Sequence, residues 1–425
     1  MKSPVKRFIR NIHLWLGMAS GLIIVFVCLT GTILVFEKEL THAWYPERYT
    51  VAPAATPSLS LAQLSAAVQD YKPKAKISGF KIYADPARSV EVSLAGGPGG
   101  KGGAGRKGKG EGPKAAAGNG ATKAPAEGKG KGKGDGGGPR IYVNPYTGAV
   151  LGEENPRESF FHTVEQLHRG LVAGKIGKLV MGVSASIFLF ILATGLVLWW
   201  PTARKALTPR LTVKWGSSWK RFNHDFHVVL GFYASLFLFV LALTGVGMSF
   251  DWVGAGINKL THSPLKRPEP PASVVPVAQA QRPAKVGADA VLAQARQQAP
   301  AAESYALQLA KEPTGSIRVA VLRPGAITEN ATDEVYLDQY SGQVLSGQTY
   351  AQRPVGQRIR GLFKPVHTGA IGGLPTKVLA FIIALLGATF PVTGTIMWLN
   401  RIRKKARSSR SYKPFDSVLE VKQRP

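Results

Sequence analysis

Residues 168–195 read HRGLVAGKIGKLVMGVSASIFLFILATG: a histidine, spaced glycines, a lysine, then an apolar run closed by Thr-Gly. The pattern returns 199 residues later. His168, Gly170, Gly174, Lys178, Thr194, Gly195 and Trp199 are matched by His367, Gly369, Gly373, Lys377, Thr393, Gly394 and Trp398. A second pattern recurs at a shift of 214, with His13, Leu16, Gly17, Thr30 and Gly31 against His227, Leu230, Gly231, Thr244 and Gly245. Such self-similarity predicts two tandem copies of one unit, each with two apolar helices and one extramembrane domain. Four histidines recurring at four helix ends point to something held between them.

Working outward, the 425 residues are 45% hydrophobic, yet mean hydropathy is near zero. The average conceals long apolar runs separated by very polar loops. A net charge of +29 would point to nucleic acid in a soluble chain. Here the cations flank apolar runs or fill one Gly/Lys tract, which fits membrane topology and no nucleic-acid partner. The single cysteine, Cys28, lies inside an apolar run. That excludes an internal disulfide, a covalent C-x-x-C-H haem site and iron–sulfur ligation by cysteines. Any redox centre must hang on histidines.

Four spans of about 20 residues, enough for a hydrocarbon core about 30 Å thick, are predicted at 13–36, 178–200, 228–250 and 376–399. The first is too long for a signal-peptide core and has no cleavage site after Glu37-Lys38-Glu39, so it reads as retained. Arg and Lys crowd residues 1–12, the short loop 201–226 and the tail 400–425. The positive-inside rule then places both termini and that loop in the cytoplasm, and the long loops 40–165 and 251–365 outside it. The lysines of 101–133 do not disturb this, since long loops translocate largely regardless of charge.

Both long loops predict a small α+β module. The first has a helix at Leu59–Tyr71 and strands at Ala75–Tyr83, Ser89–Leu94 and Arg140–Val143, then a turn at Asn144–Gly148 before Val150-Leu151. The second has a helix at Ala288–Gln298, strands at Tyr305–Leu309, Ser316–Leu322 and Glu334–Leu337, and a turn at Asp338–Gly342 before Val344-Leu345. Alternating apolar residues and Gly-containing turns carry these assignments. Residues 96–139, almost all Gly, Lys, Ala and Pro, cannot bury a core and read as a disordered insert.

A lone histidine at a membrane helix end is often an interfacial polar residue. Four at repeat-equivalent places are a different matter. With alternating helix directions, His13 and His227 fall at the cytoplasmic face and His168 and His367 at the outer face. Two levels of two imidazoles match two bis-histidine b-type haems. Gly17 and Gly231, one turn beyond their histidines, leave room for a porphyrin on that face, and glycine also packs membrane helices without a ligand. Arg169, Arg360 and Lys364 are placed to meet haem propionates at the outer face. Zinc fits poorly, because each level lacks a matching acid or thiolate. His42, His162, His224 and His262 have no repeat partner; His162 and His224 stand as second-line ligands. Trp199 and Trp398 read as interfacial belt residues, and the Thr-Gly pairs as packing or bending sites with Thr bonding back to a carbonyl. His168 precedes Lys178 by ten residues, about 15 Å if helical, which sets the outer pair at or above the membrane interface.

His13-Leu-Trp-Leu-Gly17 with Thr30-Gly31, Leu167-His-Arg-Gly170, His227-Val-Val-Leu-Gly231 and Val366-His-Thr-Gly369 with Thr393-Gly394 resemble the PepSY-associated transmembrane family. Residues 144–152 and 338–347 resemble the strand–turn–strand end of PepSY modules. The resemblance implies a mainly α membrane protein with four transmembrane helices in two tandem repeats and two periplasmic PepSY-like modules. It further implies a bacterial inner-membrane location, like the family's ferric-siderophore reductases. Two b-type haems would carry electrons from a cytoplasmic or membrane donor to a periplasmic ferric siderophore, releasing Fe(II). Relatives with a fused flavoprotein differ, because neither loop 201–226 nor the tail holds a dinucleotide fingerprint; the donor must be separate. A general transmembrane cytochrome with another acceptor, and a haem-free PepSY regulator, are the alternative readings.

Overall fold

The computed structural model describes residues 4–96, 138–201, 203–275 and 284–411, with backbone alone for 405–411. Four helices are long and apolar enough to cross a membrane: α1 (Pro4–Leu34), α4 (Gly174–Trp199), α5 (Trp219–Ser249) and α8, whose span covers Ala370–Lys404. Each overruns the predicted segment at one or both ends, because polar and basic turns continue the helix past the apolar run. α1 packs on α8 and α4, and α5 on α4 and α8. Small residues line these contacts. A Cβ on Gly21 of α1 would stand 3.2 Å from Pro391, and one on Gly387 of α8 would stand 3.0 Å from the Cys28 sulfur, as expected where helices associate without a hydrophobic driving force. Large apolar side chains such as Leu22 and Leu236 point outward and exposed, the arrangement a lipid surround favours.

Between α1 and α4 lie α2 (Leu61–Tyr71), β1 (Ile77–Tyr83), β2 (Val90–Leu94), β3 (Arg140–Val143), β4 (Val150–Glu154) and α3 (Phe160–Gly170). Between α5 and α8 the order repeats as α6 (Ala288–Gln298), β5 (Ser304–Gln308), β6 (Ile317–Leu322), β7 (Asp333–Leu337), β8 (Val344–Gln348) and α7 (Val355–His367). The expected helices and strands are therefore present in both loops. The predicted insert at 96–139 lies, but for its ends, outside the described residues.

The two loops are joined, where the sequence reading kept them as two modules. All strands form one antiparallel sheet in the order β4-β3-β2-β1-β5-β6-β7-β8. The join is β1 against β5, with Phe80 opposite Leu307 and Ile82 opposite Tyr305. Each unit alone would leave that edge strand unpaired, and a bare edge is a template for unwanted pairing; here each edge covers the other. One apolar core runs beneath the join, from Leu64 and Val68 of α2 through Val92 and Ile141 to Val319, Val321 and Val291 of α6. Asp289 of α6 also caps α2, its carboxylate accepting from Leu61 N at 2.7 Å and Ala62 N at 3.0 Å. Free helix N-terminal amides take such an acceptor readily.

The turns have matching chemistry. Asn144 Oδ1 accepts from Tyr146 N at 2.9 Å, and Asp338 Oδ1 accepts from Tyr340 N at 2.8 Å. Gly148 and Gly342 follow with φ of 74° and 73°, a conformation that favours glycine. The other sheet face is polar. Its buried Glu334 accepts from Arg318 at 2.6 Å and Arg353 at 3.2 Å. Burial pushes that carboxyl up, but the hydrogen bond and charge of Arg318, the Tyr336 hydroxyl and the charge of Arg353 outweigh it and hold it below the usual glutamate value. A depressed folded pKa contributes stability above the unfolded value of 4.5 and loses it as pH falls through the folded one. Glu334→Gln should therefore lower stability by on the order of 3 kcal/mol at pH 7, since two arginines lose their counter-charge. Thermal melts in detergent check this, and the deficit should shrink once the pH is below about 4.

Candidate functional site

Four histidines enter the bundle at two levels. On the sheet side, His168 of α3 and His367 of α7 face one another with ring centroids 6.0 Å apart and planes at 63°. That is too far for ring contact. On the far side, His13 of α1 contacts Thr194 of α4, and His227 of α5 contacts Thr393 of α8. His227 sits in a π-helical turn, Phe226–Leu230, a local irregularity frequent at functional sites.

Each imidazole rests on a Thr-Gly pair of another helix. His13 Nδ1 is 3.0 Å from Thr194 Oγ1 of α4, and His168 Nδ1 is 3.0 Å from Thr30 Oγ1 of α1. His227 Nδ1 is 2.8 Å from Thr393 Oγ1 of α8, and His367 Nδ1 is 3.0 Å from Thr244 Oγ1 of α5. The carbonyl three residues before each threonine shares the bond: Val27 at 3.1 Å for His168 and Leu241 at 2.9 Å for His367, with Ile191 for His13 and Phe390 for His227. The glycine after each threonine lies under the ring. Cβ atoms on Gly31, Gly195, Gly245 and Gly394 would stand 3.1, 3.3, 3.4 and 3.4 Å from the imidazole Cε1. The Thr-Gly pairs thus bond backward to carbonyls as expected and, in addition, seat the histidines.

His168 does not stand ten helical residues above Lys178. The chain turns back between α3 and α4, with Leu171 and Val172 at φ of 51° and 56°, so ten residues do not run as helix. His168 folds down to the level of Val27 and Thr30, inside α1. Close approach of Gly170 and Gly177 makes the reversal possible: a Cβ on Gly177 would fall 1.7 Å from the Gly170 carbonyl oxygen.

Above these two rings opens a cavity of about 1020 Å³. It is lined by His168, His367, Arg169, Arg360 and Lys364, and also by Lys178, Arg267, Glu37 and Glu165. All three cations expected near propionates are therefore in one cavity with both rings. Arg360, Lys364 and His367 occupy one face of α7 at helical spacing. Burial raises the Glu37 carboxyl, opposed by the nearby Lys364 charge and reinforced by Glu165 and Glu154. Gly17 has nothing within 4 Å of an added Cβ, and Gly231 has only the Phe390 ring edge at 3.9 Å, so both leave open space beside their histidines.

Other residues stand apart. His162 contacts Gln166 and Glu165, and His224 pairs with Asp225 at 3.2 Å; neither lines the cavity. His42 stacks on Tyr49 with centroids 3.9 Å apart. Trp199 is not a belt residue: it is buried, stacks on Phe232 at 3.7 Å and donates to the Arg210 carbonyl. Among the described residues no three His, Cys, Asp or Glu gather around one point as a metal site. With Nδ1 engaged, each imidazole keeps Nε2 as the nitrogen that could ligate a metal.

Fold and site together define a membrane protein of four spanning helices, paired half-buried histidines and an extramembrane antiparallel sheet. The chain belongs to the family described as the PepSY-associated TM region, which matches residues 10–401. No curated protein matches it.

The reversal that carries His168 gives a direct test. Gly177→Ala should cost at least on the order of 1–3 kcal/mol, because backbone must move to admit the methyl. Gly256→Ala, with nothing within 4 Å, should unfold like the parent. Unfolding midpoints of the two variants in the same detergent check this.

Proposed function

We propose that this chain is an inner-membrane electron-transfer protein with two b-type haems, passing electrons from a cytoplasmic donor to a periplasmic ferric siderophore and releasing Fe(II). The observation that carries the reading is four imidazoles at two levels, two to a level, every one with its Nδ1 already committed. The basic segments around Lys6 and Arg7, Arg204 to Arg221, and Arg401 to Lys404 support a cytoplasmic far side, and hence a periplasmic sheet.

Bound haem supplies one-electron exchange between Fe(III) and Fe(II) at each level. His13 with His227, and His168 with His367, would hold it through Nε2. Gly17 and Gly231 leave the space a flat macrocycle needs. Arg169, Arg360 and Lys364 offer cationic donors to its carboxylates at the cavity rim. The apolar walls, Phe188, Leu241 and Met181 among them, keep water from the rings and so help set the potential. The substrate's Fe(III) is held by hard oxygen donors, and the softer Fe(II) is held less tightly by them. Neither loop 201–226 nor the tail 400–425 carries a dinucleotide fingerprint, and the reading takes a separate donor at the far side.

Haem-replete protein should give two haems per chain by pyridine haemochrome, extractable with acid acetone. His168→Ala or His367→Ala should leave one haem and no ferric-siderophore reduction. His13→Ala or His227→Ala should also leave one haem, with reduction restored by a small reductant that reaches the sheet side. A colourless parent protein, or full reduction by the His168→Ala, His367→Ala double variant, would refute the proposal.

Orientation has its own check, in a Cys28→Ala background. Cysteines at the exposed positions Ser58 and Ser346 should react with an impermeant reagent in spheroplasts, and one at exposed Ser218 should not. Labelling of Ser218→Cys alone would reverse the direction of flow.

A further inference from the structure

We infer that Thr30, Thr194, Thr244 and Thr393 are positioning residues: each hydroxyl holds one imidazole in the Nδ1–H tautomer and leaves its Nε2 as the free nitrogen. The inference rests on the haem reading for its purpose, but not for its geometry.

A threonine hydroxyl has one proton to give. In all four cases that proton has a backbone acceptor one turn back: Phe26 O at 2.8 Å from Thr30, Phe190 O at 3.0 Å from Thr194, Val240 O at 2.8 Å from Thr244 and Thr389 O at 3.1 Å from Thr393. With its proton engaged there, the oxygen faces the imidazole as an acceptor. The shared carbonyl can only accept. Both partners therefore demand a proton on Nδ1, which leaves Nε2 as the bare nitrogen of a neutral ring. Packing acts in the same direction. The glycine after each threonine lets Cε1 approach the helix backbone at 3.1–3.4 Å from a notional Cβ, so the ring cannot swivel away without losing both contacts.

A threonine that merely packs helices needs no imidazole, because its hydroxyl is already satisfied within its own helix. Four coincidences at 2.8–3.0 Å set this arrangement apart from packing. Hydrogen bonding at the outer nitrogen of a ligating histidine fixes ring orientation and raises ligand basicity, and its loss typically lowers affinity 10–100-fold.

The pattern of partners is specific. His13 takes Thr194 and His168 takes Thr30, both within the first half of the chain; His227 takes Thr393 and His367 takes Thr244, both within the second. Each ring is seated by its own half, and each level takes one ring from either half.

The test uses the full-length chain with single Thr→Val and Thr→Ser variants. Valine keeps the shape without the acceptor; serine keeps the acceptor. With haem bound, Thr30→Val or Thr244→Val should weaken haem binding about 10–100-fold and raise the potential at the sheet-side level alone. Thr194→Val or Thr393→Val should do so at the far-side level alone, and serine should restore both readouts. Nitrogen-15 spectra of histidine-labelled protein without haem should show Nδ1–H for the four rings in the parent and mixed tautomers for the affected ring in each valine variant. Unchanged tautomers, or shifts spread over both levels, would overturn the inference. A parent that binds no haem would overturn the haem reading instead, and the tautomer spectra would still decide the role of the threonines.

Discussion

An imidazole buried between membrane helices must have both ring nitrogens accounted for, since an unmet polar atom in an apolar surround costs several kcal/mol. In all four histidines here, Nδ1 is met twice over, by a threonine hydroxyl and a backbone carbonyl. Nε2 is what remains. Much of the bundle can be read as a consequence: glycines beneath the rings, glycines beside them, and reversals that lower α3 and α7 onto the spans. The histidine pairs also couple what the seats keep separate, because each half positions its own rings while each pair needs one ring from either half.

The sheet obeys the same division. Each half supplies strands and a helix in identical order, and each would expose one strand edge alone. Pairing β1 with β5 removes both edges, and Asp289 caps α2 across the join. The halves are thus tied by the continuous sheet and by the packing of α1 on α8. Lys377 of α8 adds a further tie through Glu39 at 2.6 Å, beside the ion pair of Lys38 with Glu329. A bundle fastened at several heights resists the relative sliding that would spoil ring-to-ring distances.

Much of this was legible in the sequence because it repeats. The shifts of 199 and 214 residues picked out the four rings, apolar runs and alternation gave the spans and both α+β units, and nearness to the outer histidines in sequence gave Arg169, Arg360 and Lys364. Three things were not legible. The β1–β5 join is a contact between strands more than two hundred residues apart, and nothing local marks it. The fall of His168 into the bundle depends on two non-glycine residues at positive φ, Leu171 and Val172, where sequence favours continued helix. The seating of the rings was half visible: four Thr-Gly pairs accompany four histidines, but equal numbers alone do not say which pair serves which ring. Trp199 misled for a related reason, since its position at a helix end looks interfacial until Phe232 is seen to cover its face.

The reversal at Leu171–Gly174 also changes what the two levels can do for one another. His13 and Thr30 lie seventeen residues apart on α1, about 25 Å at 1.5 Å per residue. An outer pair set above the interface would lie farther still, beyond a hydrocarbon core about 30 Å thick. Lowering His168 and His367 to the Thr30 and Thr244 level brings the two imidazole pairs within the spans and leaves the depth above them as cavity. The α7 face that carries His367 also carries Lys364 and Arg360 up that depth toward the sheet. One turn therefore does two things: it sets His168 level with Thr30 of α1, and it leaves a cation-lined cavity beside the rings.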